Sequence, residues 1–143
     1  MNDCNLELLN TAYQNTSMAI ESIDNLEKSV ENERFLNLIR SQKTEYIKFN
    51  DFSCEKIRKY GKEPQEINML AKISSKIGMT TETFIDNSVS KLAQMMIEGT
   101  NMGVISIKKE LNTNNCADND VRKFCDELMT FEENSINSLK DFL

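Results

Sequence analysis

Lys62-Glu63-Pro64-Gln65-Glu66-Ile67-Asn68-Met69-Leu70-Ala71-Lys72-Ile73-Ser74-Ser75-Lys76-Ile77-Gly78-Met79-Thr80 is the stretch on which the fold turns. Pro64 breaks the helix before it, and Ile67, Leu70, Ala71, Ile73, Ser74 and Ile77 suggest a short amphipathic helix ending at Gly78. A helix of about a dozen residues plus a few extended ones spans roughly 40 Å, about the length of a long bundle helix. Such a connection can run from one end of a bundle to the other.

On the N-terminal side, Leu6, Leu9, Tyr13, Thr16, Ile20 and Ile23 alternate steps of three and four, which predicts a helix from Asp3 to about Ser29. A second helix is predicted from about Glu33 to Tyr60, stopped by Gly61. Its stripe is Phe35, Leu38, Phe49 and Phe52, flanked by Ile39, Tyr46 and Ile57. On the C-terminal side a third helix is expected after the capping candidates Thr80 and Thr81, reaching about Leu111 before the turn-rich run Asn112-Thr113-Asn114-Asn115. A fourth begins near Asp118 and carries Val121, Cys125, Leu128, Ile136, Leu139 and Phe142 to the chain end.

The two outer links are short, so residues 3–60 and 81–143 each fold as an antiparallel hairpin. With a full-length crossover between the hairpins, helices two and three are parallel. The chain is then one all-α domain over residues 1–143, an up-down-down-up four-helix bundle with a short helix in its crossover. An up-down-up-down bundle, with the short helix folded against one end, is the rival order.

Two helical hairpins joined by a long crossover, with glutamates near the middle of each long helix, resemble the ferritin and rubrerythrin superfamily. Met95-Met96-Ile97-Glu98-Gly99-Thr100-Asn101-Met102-Gly103, followed by Phe131-Glu132-Glu133-Asn134, is similar to uncharacterised bacterial ferritin-like proteins. The resemblance covers nearly the whole chain and implies a fold rather than an activity.

The di-iron members place a glutamate on each of two helices and Glu-x-x-His on each of the other two. Carried onto this chain, that pattern implies metal ligands at Glu21, Glu45, Glu98 and Glu132. Two positions depart from it: Glu45 is followed three residues later by Lys48, and Glu132 by Ser135, in a chain with no histidine. An ammonium has no free lone pair and a serine hydroxyl is a poor ligand beside imidazole. The expectation is therefore no conventional di-iron centre, with iron, manganese or zinc at an all-oxygen site as the alternative.

The carboxylates still call for an account. Glu45 lies between Gln42 and Phe49, and Glu132 between Leu128 and Ser135 on a seven-residue repeat, so both are expected to face inward. Glu98 and Glu132 fall level across their hairpin, as do Glu21 and Gln42 across theirs. Inward carboxylates must be hydrogen-bonded, protonated or metal-bound. A polar network of Glu, Gln, Ser and Tyr that fixes helix register, glutamates reaching solvent from the stripe edge, and an oxygen-ligand metal site are the three readings.

Twenty-three acidic against 17 basic residues give a net charge of −6, which argues against nucleic acid or an anionic membrane surface as partner. No run approaches the roughly 18 apolar residues of a membrane span, and the first residues lack a signal-peptide pattern; the expectation is cytoplasmic. Cys4, Cys54, Cys116 and Cys125 form no C-x-x-C pair, and reduced thiols are expected in that compartment. In the up-down-down-up order all four approach one end, where a thiolate metal site or redox pair is the sharper alternative. Cys116, in a polar turn, is the most reactive candidate. Catalysis by a Cys-His or Ser-His pair is excluded by the missing histidine.

The eight methionines read as core filling. On the third helix Met95, Met96, Ile97, Met102, Val104, Ile105 and Ile107 surround nearly the whole circumference, more than one core face needs. With Gly99 and Gly103 permitting close approach, the expectation is a homodimer formed through this helix. Function is expected through self-association or partner contacts rather than catalysis, with a degenerate carboxylate metal or redox protein as the alternative.

Overall fold

The computed structural model describes residues 2–66 and 88–143. They form four helices: α1 Asp3–Glu27, α2 Glu33–Lys59, α3 Val89–Thr113 and α4 Asn119–Lys140. Among the described residues there is no strand. The expected short crossover helix and the first residues of the expected third helix fall in 67–87, outside the described residues.

Local chemistry sets the helix ends. The Asn2 side chain accepts from the Cys4 and Asn5 amides, Asn32 from Phe35, and Ser88 from Lys91. α2 stops at Gly61, whose φ of 76° suits a residue without Cβ; its amide donates to Arg58 O and the Lys62 amide to Ile57 O, the two bonds of a Schellman cap. At the end of α3, Arg122 Nη1 reaches back from α4 to the carbonyls of Leu111 (3.2 Å) and Asn114 (3.0 Å).

Contacts at the ends give the order. The start of α1 meets the α3–α4 turn: Cys4 is disulfide-bonded to Cys116, and Asn5 Nδ2 donates to Asp118 Oδ2 at 2.9 Å. The last turn of α2 reaches the same end through Lys56 and Asp120, 3.0 Å apart. At the opposite end Phe35, opening α2, packs on Phe142 beyond α4, ring centroids 5.2 Å apart. α1 and α4 therefore point one way and α2 and α3 the other, the up-down-down-up order. Gln65 and Glu66 have already turned back along α1, the Gln65 amide donating to Asn10 Oδ1 at 2.9 Å and Tyr13 donating to Glu66.

α1 packs on α2, α3 and α4, α3 packs on α4, and α2 meets α4 only loosely. Buried Leu8, Leu9, Ile39, Ile57, Leu92, Ile107, Leu128 and Leu139 bring all four helices into one core. On α2 the register differs from the sequence expectation. The buried line is Phe35, Ile39, Gln42, Tyr46, Ser53 and Ile57, while Phe52 is 43 % exposed. The expected flank is the core, because Leu38, Phe49 and Phe52 turn into the open α2–α4 seam. No helix among the described residues is long and apolar enough to cross a membrane.

Candidate functional site

Glu132, mid-way along α4, is fully buried. It falls on the repeat Leu128, Glu132, Ser135, Leu139, all inward. Asn15 Nδ2 of α1 donates to its Oε1 at 2.7 Å, and the Tyr46 hydroxyl of α2 donates to its Oε2 at 3.0 Å. α3 contributes Thr100, beside the Tyr46 hydroxyl, and Gly103. A Cβ on Gly103 would stand 2.5 Å from Asn15 Oδ1 and 2.9 Å from Glu132 Oε2, so the carboxylate fits only because that position has no side chain. Each of the four helices thus supplies part of one polar cluster.

Burial pushes the Glu132 carboxyl up to about 7, although the bonds from Asn15 and Tyr46 pull the other way. Burial, and then the Glu132 charge beside it, hold the Tyr46 phenol well above its ordinary value. The cluster can hold or release one proton near neutrality. With one carboxylate, an amide and a phenol, it is not the donor set of a di-iron centre.

The other three sequence candidates lie elsewhere. Glu45 is half exposed and bonded to Lys48 at 3.0 Å. Glu98 is on the surface and accepts from Gln94 at 3.0 Å; Glu21 is partly buried on α1. The rotated register of α2 is the reason for Glu45: with Gln42 and Tyr46 facing the core, the residue between them turns to the rim. Among the described residues no three His, Cys, Asp or Glu side chains gather as a metal-holding group. Asn15 escaped the sequence reading, and Gly103, expected there to permit approach of a second helix, instead faces the core against Asn15 and Glu132.

An aromatic run leads from this cluster to the surface along the α2–α4 seam. Tyr46 meets Phe131 edge-on at 5.0 Å, Phe131 meets Phe49 at 5.5 Å, Phe49 meets Phe124 at 5.8 Å, and Phe52 stacks on Phe124 at 4.4 Å. Two open hollows of about 400 and 250 Å³ lie along the seam and share Glu45. Gln42 borders the second; its Nε2 donates to Ser135 O at 3.4 Å and its buried Oε1 has no partner among the described residues.

The cysteines depart from the reduced-thiol expectation. Cys4 and Cys116 form a disulfide with Cα atoms 5.8 Å apart, because the bundle order sets the first turn of α1 beside the α3–α4 turn. Cys125 is buried, its thiol pushed up to about 12 by burial, and Cys54 is half-buried.

On α3 the core side is Leu92, Met96, Thr100, Gly103, Ile107 and Leu111. The outer side carries Met102, 56 % exposed, and Ile105, 46 % exposed. Among the described residues a Cβ on Gly99 would meet nothing within 4 Å, so that glycine stands clear of the other three helices. Comparison with protein-family models, curated proteins and solved structures finds no match for this chain.

Proposed function

We propose that the chain is a non-catalytic contact protein with a ferritin-like order, and that it pairs with a second copy of itself through the outer face of α3. The observation that carries this reading is the apolar surface formed by Met102 and Ile105 beside the bare backbone of Gly99. At 100° per residue these positions fall within roughly a third of the helix circumference. A solvated helix face does not gain by exposing two large apolar side chains there, whereas a partner helix could approach closely over the glycine.

Charge favours a second copy as that partner. Glu98 and Lys109 stand at opposite ends of the same face, both exposed. A two-fold axis crossing α3 between Met102 and Ile105 makes the paired helices antiparallel and sets Glu98 of each copy beside Lys109 of the other. The mid-bundle cluster then serves as a register lock, and the ferritin-like order supplies a rigid support for the contact face. A cytoplasmic residence fits this reading if the Cys4–Cys116 bridge opens and closes; a permanent bridge would fit an oxidising compartment.

Sedimentation at micromolar concentration should give a dimer. Met102→Glu and Ile105→Glu should sediment as monomers with unchanged helical circular dichroism. Glu98→Lys should weaken the dimer, and Glu98→Lys combined with Lys109→Glu should restore it. A wild-type protein that stays monomeric, or charge reversals without effect on assembly, would refute the reading.

A further inference from the structure

We propose that the Cys4–Cys116 bridge is a thiol–disulfide exchange site for a low-molecular-mass thiol, which attacks Cys116 Sγ and displaces Cys4. The inference is independent of pairing through α3. The bridge joins positions 112 apart, yet it lies at the surface: Cys116 is exposed in the α3–α4 turn, while Cys4 is half-buried in the first turn of α1. An incoming thiolate therefore meets Cys116 first. The departing Cys4 thiolate forms at a helix N-terminus, where the dipole favours negative charge.

A second set of contacts distinguishes this bridge from a plain staple. Asn2 donates to the Cys116 carbonyl while its Oδ1 accepts from the Cys4 amide at 2.7 Å. Buried Asn5 accepts from the Asp118 amide at 2.8 Å and donates to the Asp118 carboxylate at 2.9 Å. The Asn5 pair does not involve the sulfur atoms, whereas Asn2 Oδ1 also lies 3.4 Å from Cys116 Sγ. These bonds hold the two cysteines in register after the bridge opens, so that it can close again without a search. The other two thiols are less accessible than Cys116, since Cys125 is sealed in the core and Cys54 is half-buried on α2.

The exchange balances in two steps. A thiolate RS⁻ bonds to Cys116 Sγ, the bridge breaks, and the electron pair leaves on Cys4 Sγ. A second RS⁻ then attacks the sulfur of R in the mixed disulfide, giving RSSR and the Cys116 thiolate. The two protons released by the incoming thiols are taken up by Cys4 and Cys116; the bridge gains two electrons and the small thiols lose two.

The test uses glutathione. The full-length oxidised chain is equilibrated without denaturant in buffers of varied reduced-to-oxidised glutathione ratio, quenched in acid, alkylated and mapped by peptide mass spectrometry. The expected result is conversion of the bridge by millimolar reduced glutathione with helical circular dichroism retained, and a trapped glutathione adduct on Cys116. In a second arm, Cys4→Ser should take up one glutathione on Cys116 from oxidised glutathione with its helical circular dichroism unchanged. A bridge that opens only in denaturant, an adduct on Cys4 or Cys54 in the wild type, no adduct on Cys116 in Cys4→Ser, or loss of helix on reduction would each overturn the proposal.

Discussion

The Tyr46 hydroxyl donates to Glu132 Oε2 over 3.0 Å, tying α2 to α4 at mid-height across a seam where these two helices otherwise pack loosely. Asn15 holds the other carboxylate oxygen from α1, so one acidic side chain joins three helices. A carboxylate so enclosed is favourable only while its bonds offset lost hydration, and its protonation state becomes part of the fold's stability.

That linkage gives a signed pH dependence. The folded-state value of about 7 lies above the ordinary 4.5, so between these the folded chain binds more protons than the unfolded one. The associated stability is complete below about 4.5 and is lost as pH rises through about 7. A shift of that size corresponds to about 3 kcal/mol across the window. Urea unfolding from pH 4 to 8 should show this decline, and Glu132→Gln should flatten it. Parallel pH profiles for the two proteins would rule out Glu132 as the titrating group.

Gly103 and Gly99 should respond in opposite ways to the same change. Gly103→Ala puts a methyl group 2.5 Å from Asn15 Oδ1, so Asn15 must give up its place on Glu132. The expected cost is about 1–3 kcal/mol from the broken bond and overpacking. Gly99→Ala enters open space within a helix and should stabilise the monomer by about 0.5–1 kcal/mol. Thermal melts of the pair, made in the Met102→Glu background to remove dimerisation, would check both signs.

Gln42 should be dispensable. Its side chain is buried, its Oε1 lacks a partner among the described residues, and its bond to Ser135 O is long at 3.4 Å. Gln42→Leu removes an unmet acceptor and keeps the volume, so it should stabilise by about 1 kcal/mol. A destabilised variant would show that the amide is satisfied in solution.

The helices and their order were legible because the evidence for them is local or additive. Apolar spacing marked α1 and α4, Gly61 marked the end of α2, and the reach of 62–80 favoured a crossover over a short turn. What failed was angular. The apolar stripe on α2 is wide enough to admit two registers, since Leu38, Phe49 and Phe52 compete with Ile39, Tyr46 and Ile57. Packing against α4 chose between them and turned Glu45 outward. Glu132 was legible because no second stripe on α4 competes with Leu128, Ser135 and Leu139. Asn15 and the Cys4–Cys116 pairing depend on neighbours more than 100 positions away, which periodicity along a single helix does not encode.

Asn5 should couple to the bridge it adjoins. It is 1 % exposed and makes two bonds to Asp118, which caps α4 without a side-chain bond to its own helix. Asn5→Ala therefore leaves the Asp118 amide without its acceptor and loosens the α3–α4 turn from α1. In the oxidised protein the disulfide still tethers that turn, so unfolding in urea should report a loss of about 1 kcal/mol, the cost of the lost part-buried hydrogen bonds. In the reduced protein the same substitution removes the contact that best holds Cys4 and Cys116 in register. Closing the bridge then requires a search that the wild type avoids, and the balance with glutathione should move toward the dithiol by several-fold, corresponding to about 1 kcal/mol of coupling between Asn5 and the disulfide. An unchanged glutathione balance in Asn5→Ala would mean that α1 and the turn stay aligned through the core alone.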